Sequence, residues 1–156
     1  MNVYTVGLFG HRRLDRPCLV EEQLLRILKD LFSKHEFLSF LVGRNGDFDL
    51  LAAAAVRRAM QMYGKERAEL VLILPYPTAE WQKNQQAFLN YYDEVELYDV
   101  SCNVFYKGAI QIRNRKMVDR SDLVVCWVER EVGGAFQTIR YAKTQGKEVL
   151  NLAQKA

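Results

Sequence analysis

Short apolar segments alternate along the chain with longer segments in which apolar residues recur at intervals of three or four. The short segments are rich in β-branched and aromatic residues, as buried parallel strands are, and they cover residues 3–9, 37–42, 70–74, 123–128 and 149–152. The longer segments have helical periodicity, which predicts helices around residues 19–32 and 50–55 and over residues 79–90, 106–120 and 134–144. This order predicts a three-layer α/β sandwich with a mainly parallel, doubly wound sheet.

Proline and glycine mark several of the predicted element ends. Pro17 fits a helix start, Pro75 a strand end, and Gly146 the position just past a helix. Residues 93–102 do not follow the pattern, because their stretch VELYDV fits both an edge strand and a loop. The sequence leaves both assignments open.

The length of 156 residues corresponds to one ordinary domain, so we expect residues 1–156 to form a single domain. The chain is 49% hydrophobic and 26% charged, which is typical of folded proteins. Its longest apolar runs, residues 70–75 and 123–128, are far shorter than the ~20 residues of a membrane helix. The stretch MNVYTVGLFG lacks a basic n-region and is interpreted as a first strand, so we expect a cytoplasmic protein.

The cysteines argue against a disulfide-bonded or zinc-binding protein, and the charges suggest where anions could bind. Cys18, Cys102 and Cys126 are widely spaced and accompanied by only two histidines, which fits neither a disulfide framework nor a zinc site. We therefore expect reduced thiols and no bound metal. The net charge is only +3, but cations cluster at residues 12–16, 57–58 and 113–120, where they could attract phosphate groups.

Unusual residues follow four of the predicted strands. They are the segments GHR at 10–12, GRNGDFD at 43–49, PYP at 75–77 and EREVGG at 129–134. In an open parallel sheet, ligands bind beyond the carboxyl ends of the strands, near the point where the strand order reverses. The four segments therefore predict a ligand site at this edge of the sheet.

Two of these segments hold paired glycines followed by a helix, namely Gly43 with Gly46, and residues 133–134. Glycine lets backbone N–H groups approach a ligand, and the positive end of the helix dipole then favours an anion. In the first segment, Asp47 or Asp49 either caps the helix or accepts hydrogen bonds from a ribose. Neither GxxxxGK[ST] nor GxGxxG occurs, so ordinary ATPase and dehydrogenase functions lose their main support.

Several side chains near these segments are candidate ligand contacts. Arg12 and Arg113 are the best phosphate partners, because guanidinium groups donate bidentate hydrogen bonds. His11 fits a contact with a phosphate or base, or a hydrogen bond that orders its loop, and Asp122 fits a structural turn. Either base stacking or ordinary packing fits the aromatic side chains Tyr76, Trp81 and Tyr106.

Four motifs in chain order resemble those of the SLOG superfamily. They are FGHR at 9–12, VGRNGDFD at 42–49, RNRKMVDRSD at 113–122, and GGA at 133–135 with Tyr141 and Ala142. More narrowly, they are similar to small bacterial YpsA-like members of unknown function. The superfamily also includes cytokinin-type phosphoribohydrolases and the DNA-processing protein A of natural transformation. The resemblance implies a Rossmann-like fold and a nucleotide or nucleotide-derived ligand held by the glycine loops, and it implies no particular reaction.

The motifs and the strand ends together define one set of predicted ligand-binding residues, with no catalytic residue assigned and no cofactor beyond the nucleotide-like ligand. These residues are Gly10, His11, Arg12, Gly43, Arg44, Asn45, Gly46, Asp49, Arg113, Asn114, Gly133 and Gly134.

One position departs from the phosphoribohydrolase pattern PGGxGTxxE, in which the glutamate is catalytic. Alignment on residues 133–134 places Phe136, Gln137 and Arg140 where that pattern has Gly, Thr and Glu. A cation thus stands in the place of a carboxylate that would stabilise positive charge developing on a sugar.

Three functions remain open on the sequence alone, and a non-catalytic or sensor-like nucleotide-binding module is preferred. The second is a hydrolase of a nucleotide N-glycosidic bond, with Asp49, Asp119 or Glu131 as its carboxylate. The third is a nucleic-acid-binding protein, suggested by the arginine clusters, although the net charge of +3 is modest for that function.

We also expect a homo-oligomer, most simply a dimer, and no membrane partner. This expectation comes partly from the resemblance to the superfamily and partly from a crowded aromatic segment, since aromatic residues are enriched in interface cores. The segment contains Tyr91, Tyr92, Tyr98, Phe105 and Tyr106.

Overall fold

Within residues 2–98 and 106–153, which the computed structural model describes, six parallel strands form one central sheet. The strands are β1 (Val3–Gly10), β2 (Phe37–Val42), β3 (Ala68–Leu74), β4 (Glu94–Leu97), β5 (Leu123–Trp127) and β6 (Glu148–Asn151). They run in the order β4-β3-β2-β1-β5-β6, and every neighbouring pair is parallel.

Helices cover both faces of this sheet. They are α1 (Pro17–Lys34), α2 (Asp47–Tyr63), α3 (Ala79–Lys83), α4 (Gln85–Tyr91), α5 (Tyr106–Arg120) and α6 (Gly133–Thr144), with a short 3₁₀ helix at Lys65–Arg67. Apolar side chains of α1 and α2 pack on the face that carries Val6 and Phe40, whereas α5 and α6 pack on the face that carries Phe9 and Leu41. Successive strand residues point to opposite faces, so β1 and β2 contribute to both cores. The predicted three-layer α/β sandwich is confirmed.

The strand order reverses between β1 and β5. The chain passes outward from β1 through β2 and β3 to β4, and its next strand, β5, lies on the other side of β1. Gly10 and Trp127 are register partners, so the loops that follow β1 and β5 begin at the same level. A reversal of this kind opens a crevice at the carboxyl ends of the two strands.

The segment that the sequence left open contains an edge strand. Residues Glu94–Leu97 form β4, which pairs with β3 on one side only. Residues 99–102, including Cys102, lie outside the described residues.

The single helix predicted over residues 79–90 is wrong, because the chain forms two short helices that are interrupted at Asn84. Asn84 has φ −133° and ψ 32°, and its Nδ2 donates to the carbonyl oxygen of Glu80 at 2.9 Å. Asparagine side chains compete with the backbone for hydrogen bonds in this way, which ends a helix locally. Thr78 caps α3 by accepting a hydrogen bond from the N–H of Trp81 at 3.1 Å.

Several other predicted features are present. Pro17 begins α1, and Gly146 has φ +73° just past α6. Asp122 joins the start of β5 to β1, since its Oδ2 accepts from the N–H of Thr5 at 2.8 Å. In the described part of the chain Cys126 is unpaired, and burial raises the pKa of its thiol to about 12.

None of the helices within residues 2–98 and 106–153 is both long enough and apolar enough to cross a membrane.

Candidate functional site

A cavity of about 600 Å³ opens at the C-terminal ends of β1, β2 and β5, beside the reversal of strand order. Much of its lining comes from the β2–α2 junction (residues 43–49) and the β5–α6 junction (residues 128–135). Ligand cavities in proteins have volumes of this order. Ten of the predicted ligand-binding residues line it: Gly10, His11, Arg12, Gly43, Asn45, Asp49, Arg113, Asn114, Gly133 and Gly134. Their contact with a ligand stays a prediction.

His11 is buried and holds the β5–α6 junction in place. Its Nε2 accepts hydrogen bonds from the backbone N–H groups of Glu129 at 2.9 Å and Arg130 at 3.3 Å. Because Nε2 is an acceptor, these bonds assign a neutral imidazole with its proton on Nδ1. Burial lowers the pKa of His11 and Arg130 lowers it further, whereas Glu129 and Asp15 act in the opposite direction. His11 therefore has the loop-ordering role among those considered for it.

The β2–α2 junction is bonded to the loop that follows β1. The N–H of Asp47 donates to the carbonyl oxygen of Arg12 at 2.7 Å, and the N–H of Phe48 donates to that of His11 at 3.4 Å. A Cβ on Gly46 would lie 2.5 Å from the Cα of Arg12, so this glycine allows the two loops to touch. The N–H groups of Asp47 and Phe48, at the start of α2, thus already donate hydrogen bonds within the protein.

Asp47 is not a helix cap, although the sequence left that role open. The N-cap residue of α2 is Gly46, so the first turn of the helix has no side-chain cap. Instead, Oδ2 of Asp47 accepts a hydrogen bond from the N–H of Leu14 at 3.0 Å. Asp47 therefore fastens the β1–α1 loop to the β2–α2 junction.

Asp49 lines the cavity from the β2–α2 junction. Its Oδ2 accepts a hydrogen bond from the N–H of Asn45 at 2.9 Å. Burial raises the pKa of Asp49, while Arg113, the Asn45 N–H and Arg12 lower it. Asp49 thus orders its own loop and also presents a partly desolvated carboxylate to the cavity.

Arg113 is held inside the protein and is only 2% exposed. Its Nη1 donates to the carbonyl oxygen of Ile73 at 2.8 Å, its Nε donates to Oδ1 of Asn114 at 2.9 Å, and its Nη2 donates to Oδ1 of Asn45. The guanidinium that was predicted to bind phosphate is therefore already bonded to three protein oxygens. Arg113 is also part of the cavity lining, and its hydrogen bonds join β3, α5 and the β2–α2 junction.

The same buried network continues to α6. Nδ2 of Asn114 donates to Oγ1 of Thr138 at 3.1 Å, and this hydroxyl donates to the carbonyl oxygen of Gly134 at 2.9 Å. A chain of hydrogen bonds thus runs from one glycine junction to the other. Buried polar chains of this kind restrain the groups that they connect, provided that every member is bonded.

Gly43 makes room for this network. A Cβ at this position would lie 2.9 Å from Nη1 of Arg113 and 3.0 Å from its Cζ. The absence of a side chain therefore lets a buried guanidinium pack against the backbone. Gly10 is similar, because a Cβ there would lie 2.2 Å from Cγ of Phe48.

The β5–α6 junction differs, because its glycines are open. A Cβ on Gly133, which has φ +92°, would have no atom within 4 Å, and one on Gly134 would meet only Nε2 of Gln111 at 3.0 Å. The N–H groups of Gly133, Gly134 and Ala135 donate to no acceptor in the described part of the chain. The first turn of α6 contains no acidic residue, and no side chain caps it. This helix end therefore presents unbonded amides and positive dipole charge to the cavity.

Arginines surround the mouth of the cavity. Arg12, Arg13 and Arg130 are exposed and line it. Arg13 and Arg130 were not among the predicted site residues, although Arg130 lies in the strand-end segment 129–134 and Arg13 directly follows the segment 10–12. Other lining residues that sequence reasoning missed are Leu8, Phe9, Ile110, Gln111, Met117, Val132, Ala135 and Gln137.

Arg44 and Gly46, the other two predicted site residues, do not line this cavity. Arg44 turns outward to Glu80, with Nε to Oε1 at 2.9 Å, and its Nη1 donates to the hydroxyl of Tyr92 at 2.9 Å. The hydrogen bond to Glu80 is the main cause that raises the pKa of Arg44. A long-range ion pair thus takes this side chain away from the ligand edge.

Asp49 is the one carboxylate that lines the cavity within the described ranges. Asp119 lies on the outer surface, where its Oδ1 accepts from the hydroxyl of Tyr141 at 2.8 Å. Glu131 is exposed and does not line the cavity. Across residues 2–98 and 106–153, no cluster of three or more potential ligands is placed to hold a metal ion.

Arg140, at the position of the phosphoribohydrolase glutamate, also lies outside the cavity lining. Its guanidinium carbon lies 5.9 Å from the ring centroid of Phe136. Tyr76 and Trp81 do not line the cavity either, and Trp81 packs against Phe88 with ring centroids 5.8 Å apart.

Solved structures of other proteins have this fold over nearly the whole chain. DNA processing protein A from Streptococcus pneumoniae matches with a TM-score of 0.70 and 14% identity over 94% of this chain and 49% of that chain. The chain shares a Rossmann-like fold with it. DNA processing protein A from Helicobacter pylori, described for its single-stranded DNA binding mode, matches with a TM-score of 0.65 and 17% identity over 94% of this chain and 63% of that chain.

A third protein of different name has the same architecture. The Moco carrier protein from Chlamydomonas rheinhardtii matches with a TM-score of 0.59 and 13% identity over 99% of this chain and 79% of that chain. No family model and no curated protein matches this chain. The chain spans about half the length of the Streptococcus pneumoniae protein. These neighbours agree with a Rossmann-like α/β fold, while the resemblance to the SLOG superfamily and its YpsA-like members stays a prediction.

Proposed function

We propose that this protein is a nucleotide-binding module that holds a nucleotide or nucleotide derivative at the C-terminal ends of β1, β2 and β5. The observation that carries the proposal is the N-terminus of α6. Its first amides have no acceptor among the described residues, its first turn has no acid, and three arginines stand at the mouth of the adjoining cavity. Phosphate is the anion that such helix ends bind in many nucleotide sites.

The remainder of the cavity suits the non-phosphate part of a nucleotide. Apolar side chains of Phe9, Met117 and Val132 share its lining with polar groups of Asn45 and Gln111. Ligand sites combine apolar walls with a few polar groups that fix orientation. The base of a nucleotide can therefore pack against the apolar wall while its phosphate binds at the N-terminus of α6.

A thermal-shift measurement across nucleoside mono- and diphosphates tests the proposal. A ligand that binds only the native state stabilises it by RT ln(1 + [L]/Kd), so we expect an increase in melting temperature at millimolar concentration. Adenosine without phosphate serves as the matched control and should produce a smaller increase. If no nucleotide shifts the transition, the proposal loses its basis.

The module is proposed to bind without cleaving the N-glycosidic bond. Hydrolysis of a glycosidic bond generally uses a pair of carboxylates, and of the candidates Asp49, Asp119 and Glu131 only Asp49 lines the cavity. Chromatography of adenosine monophosphate after incubation with the protein should therefore yield no adenine at an enzyme's usual rate. Turnover above roughly 1 s⁻¹ would favour the hydrolase instead.

Nucleic-acid binding is a second candidate, favoured by basic side chains that lie over half-buried aromatic rings. The guanidinium of Arg115 lies 4.9 Å from the ring centroid of Tyr141, and Nζ of Lys116 lies 5.1 Å from that of Tyr98. The structural neighbour from Helicobacter pylori was described for its single-stranded DNA binding. Fluorescence anisotropy with labelled single-stranded DNA tests this candidate, for which affinity should fall steeply with salt.

A dimer remains part of the proposal, but the aromatic segment supports it less than expected. Tyr92 is buried and bonded to Arg44, and the hydroxyl of Tyr98 accepts from Arg120 at 3.0 Å. Phe105 and the side chain of Tyr106 lie outside the described residues. Light scattering at micromolar concentration measures the assembly state, and a monomer would overturn this part.

A further inference from the structure

The cavity has two chemically different ends. The unbonded amides of Gly133 and Gly134 stand at the β5 side, and Asp49 stands at the β2 side. In the strand order β2-β1-β5, these sides are two strand spacings apart, which is about 10 Å at roughly 4.8 Å per spacing. A ribose 5′-phosphate that is hydrogen bonded at both ends spans a gap of this order.

This difference fixes the direction in which a nucleotide can lie. A phosphate beside Asp49 would place two negative charges together in a partly desolvated site, where like charges repel strongly. At the α6 end, the same phosphate meets N–H groups and the positive end of a helix dipole. The phosphate is therefore directed to α6, and the sugar to Asp49.

Asp49 has unused capacity to accept hydrogen bonds. Its Oδ2 accepts from the N–H of Asn45, and neither carboxylate oxygen accepts any further bond from the described part of the chain. An ionised carboxylate offers about four acceptor positions. Burial raises the pKa of Asp49, while the charges of Arg113 and Arg12 and the hydrogen bond from the Asn45 N–H lower it. Hydroxyl groups of a ligand would replace the lost water and would form short, charge-assisted hydrogen bonds.

We propose that Asp49 selects ribonucleotides over 2′-deoxyribonucleotides by accepting a hydrogen bond from the ribose 2′-hydroxyl. This inference rests on the proposed nucleotide binding and adds the sugar class that the cavity takes. The bond from Asn45 holds the carboxylate in one place, so little ordering is lost when the sugar binds. A site built to bond a hydroxyl rejects an analogue that lacks it, because the buried acceptor is then left without its partner.

Calorimetric titration with adenosine 5′-monophosphate and its 2′-deoxy analogue tests this selection. In the unsubstituted protein we expect the deoxy compound to bind about 10- to 100-fold more weakly, the range for one charge-assisted hydrogen bond. In Asp49→Asn, the two affinities should agree within about threefold. Asp47→Asn is the matched control, since Asp47 lies two residues away, bonds to Leu14 and does not line the cavity. It should keep the full ratio.

The outcomes separate the inference from the function on which it rests. Equal affinities of the two nucleotides for the unsubstituted protein would overturn the selection by Asp49 and leave nucleotide binding intact. A full ratio retained in Asp49→Asn would do the same. If that variant does not fold, 2′-O-methyl adenosine monophosphate keeps the test in the unsubstituted protein, because methylation removes the hydroxyl donor and should weaken binding at least as much. If no nucleotide of the panel binds, both proposals fall.

Discussion

The two glycine junctions of this protein look alike in sequence and differ in what occupies the start of the helix. At the β2–α2 junction, the amides of Asp47 and Phe48 donate to carbonyl oxygens of the neighbouring loop, and the first turn contains Asp47 and Asp49. At the β5–α6 junction, the first amides are unbonded within the described ranges and the first turn contains no acid. The first helix end is neutralised by the protein itself, and the second remains available to an anion.

Paired glycines therefore indicate that something approaches the backbone closely, and they do not specify what approaches. At Gly46 it is the backbone of Arg12, and at Gly43 it is the guanidinium of Arg113. At Gly133 no protein atom would meet a Cβ within 4 Å. The acids of the first turn and the bonds of the preceding loop distinguish the two cases.

The same substitution at both junctions should give opposite results. Gly43→Val pushes a branched side chain into buried Arg113, so we expect a loss of about 2–4 kcal/mol in the free energy of unfolding. Gly134→Val meets only the side chain of Gln111 and should change stability by less than about 1 kcal/mol, while it obstructs the amides of α6 and abolishes nucleotide binding. Urea denaturation and calorimetric titration measure the two effects. Equal destabilisation by both variants would remove the contrast.

Substitutions of Arg12 and Arg113, the two arginines that were predicted to bind phosphate, should also have different effects on stability and on nucleotide binding. Arg113→Met removes a buried donor from Ile73, Asn45 and Asn114, and we expect it to cost about 2–4 kcal/mol of stability. Arg12→Ala, at an exposed position, should cost less than about 0.5 kcal/mol and weaken nucleotide binding about tenfold. Chemical denaturation and titration of both variants check this, and a stable Arg113→Met protein would show that the buried network contributes little.

An acid placed in the first turn of α6 should stabilise the helix and prevent binding at the same time. In Ala135→Glu, the carboxylate interacts with the helix dipole, which contributes about 0.3–1 kcal/mol of stability. The same carboxylate would repel a phosphate at the N-terminus of α6, so the affinity for nucleotides should fall at least about tenfold. Ala135→Gln, which has the same shape without the charge, is the control. Unaltered binding in Ala135→Glu would place the anion elsewhere.

The smallest effect concerns pH and the bond that orders the β5–α6 junction. The pKa of His11 in the folded protein lies below its ordinary value of 6.5, chiefly because of burial. The unfolded chain therefore takes up the proton first, and stability that is present above pH 6.5 is lost as pH falls toward the folded pKa. His11→Gln should show a weaker decrease in melting temperature between pH 7.5 and 5.5. An unchanged decrease would assign that pH dependence to other groups.

The fold followed from local patterns because the features that build it are local. The apolar run at residues 70–74 identifies a buried strand, and the four-residue spacing of Leu24 and Leu28 identifies the buried face of a helix. Both patterns can be recognised in the sequence without knowledge of distant contacts. The break at Asn84 escaped prediction, since it depends on a side-chain amide that replaces a backbone bond. The edge strand β4 was left open, because a short, half-exposed strand has little apolar periodicity.

The candidate site was less predictable, because it depends on contacts between distant residues. Arg44 forms its ion pair with Glu80, 36 positions along the chain, and Arg113 donates a hydrogen bond to Asn45, 68 positions away. A local sequence pattern contains no information on such long-range hydrogen-bond and ion-pair partners. Arg13 and Arg130 lie beside the predicted residues and could have been included on the strand-end argument alone.

The most direct measurement follows backbone amide chemical shifts by NMR while adenosine 5′-monophosphate is added to isotopically labelled protein. We expect the amide signals of Gly133, Gly134 and Ala135 to move as their N–H groups bond to phosphate, and those of Asp47 and Phe48 to stay, because they already donate to the protein. Movement at Asp47 and Phe48 with unchanged signals at Gly133, Gly134 and Ala135 would contradict the assignment of the anion site to α6.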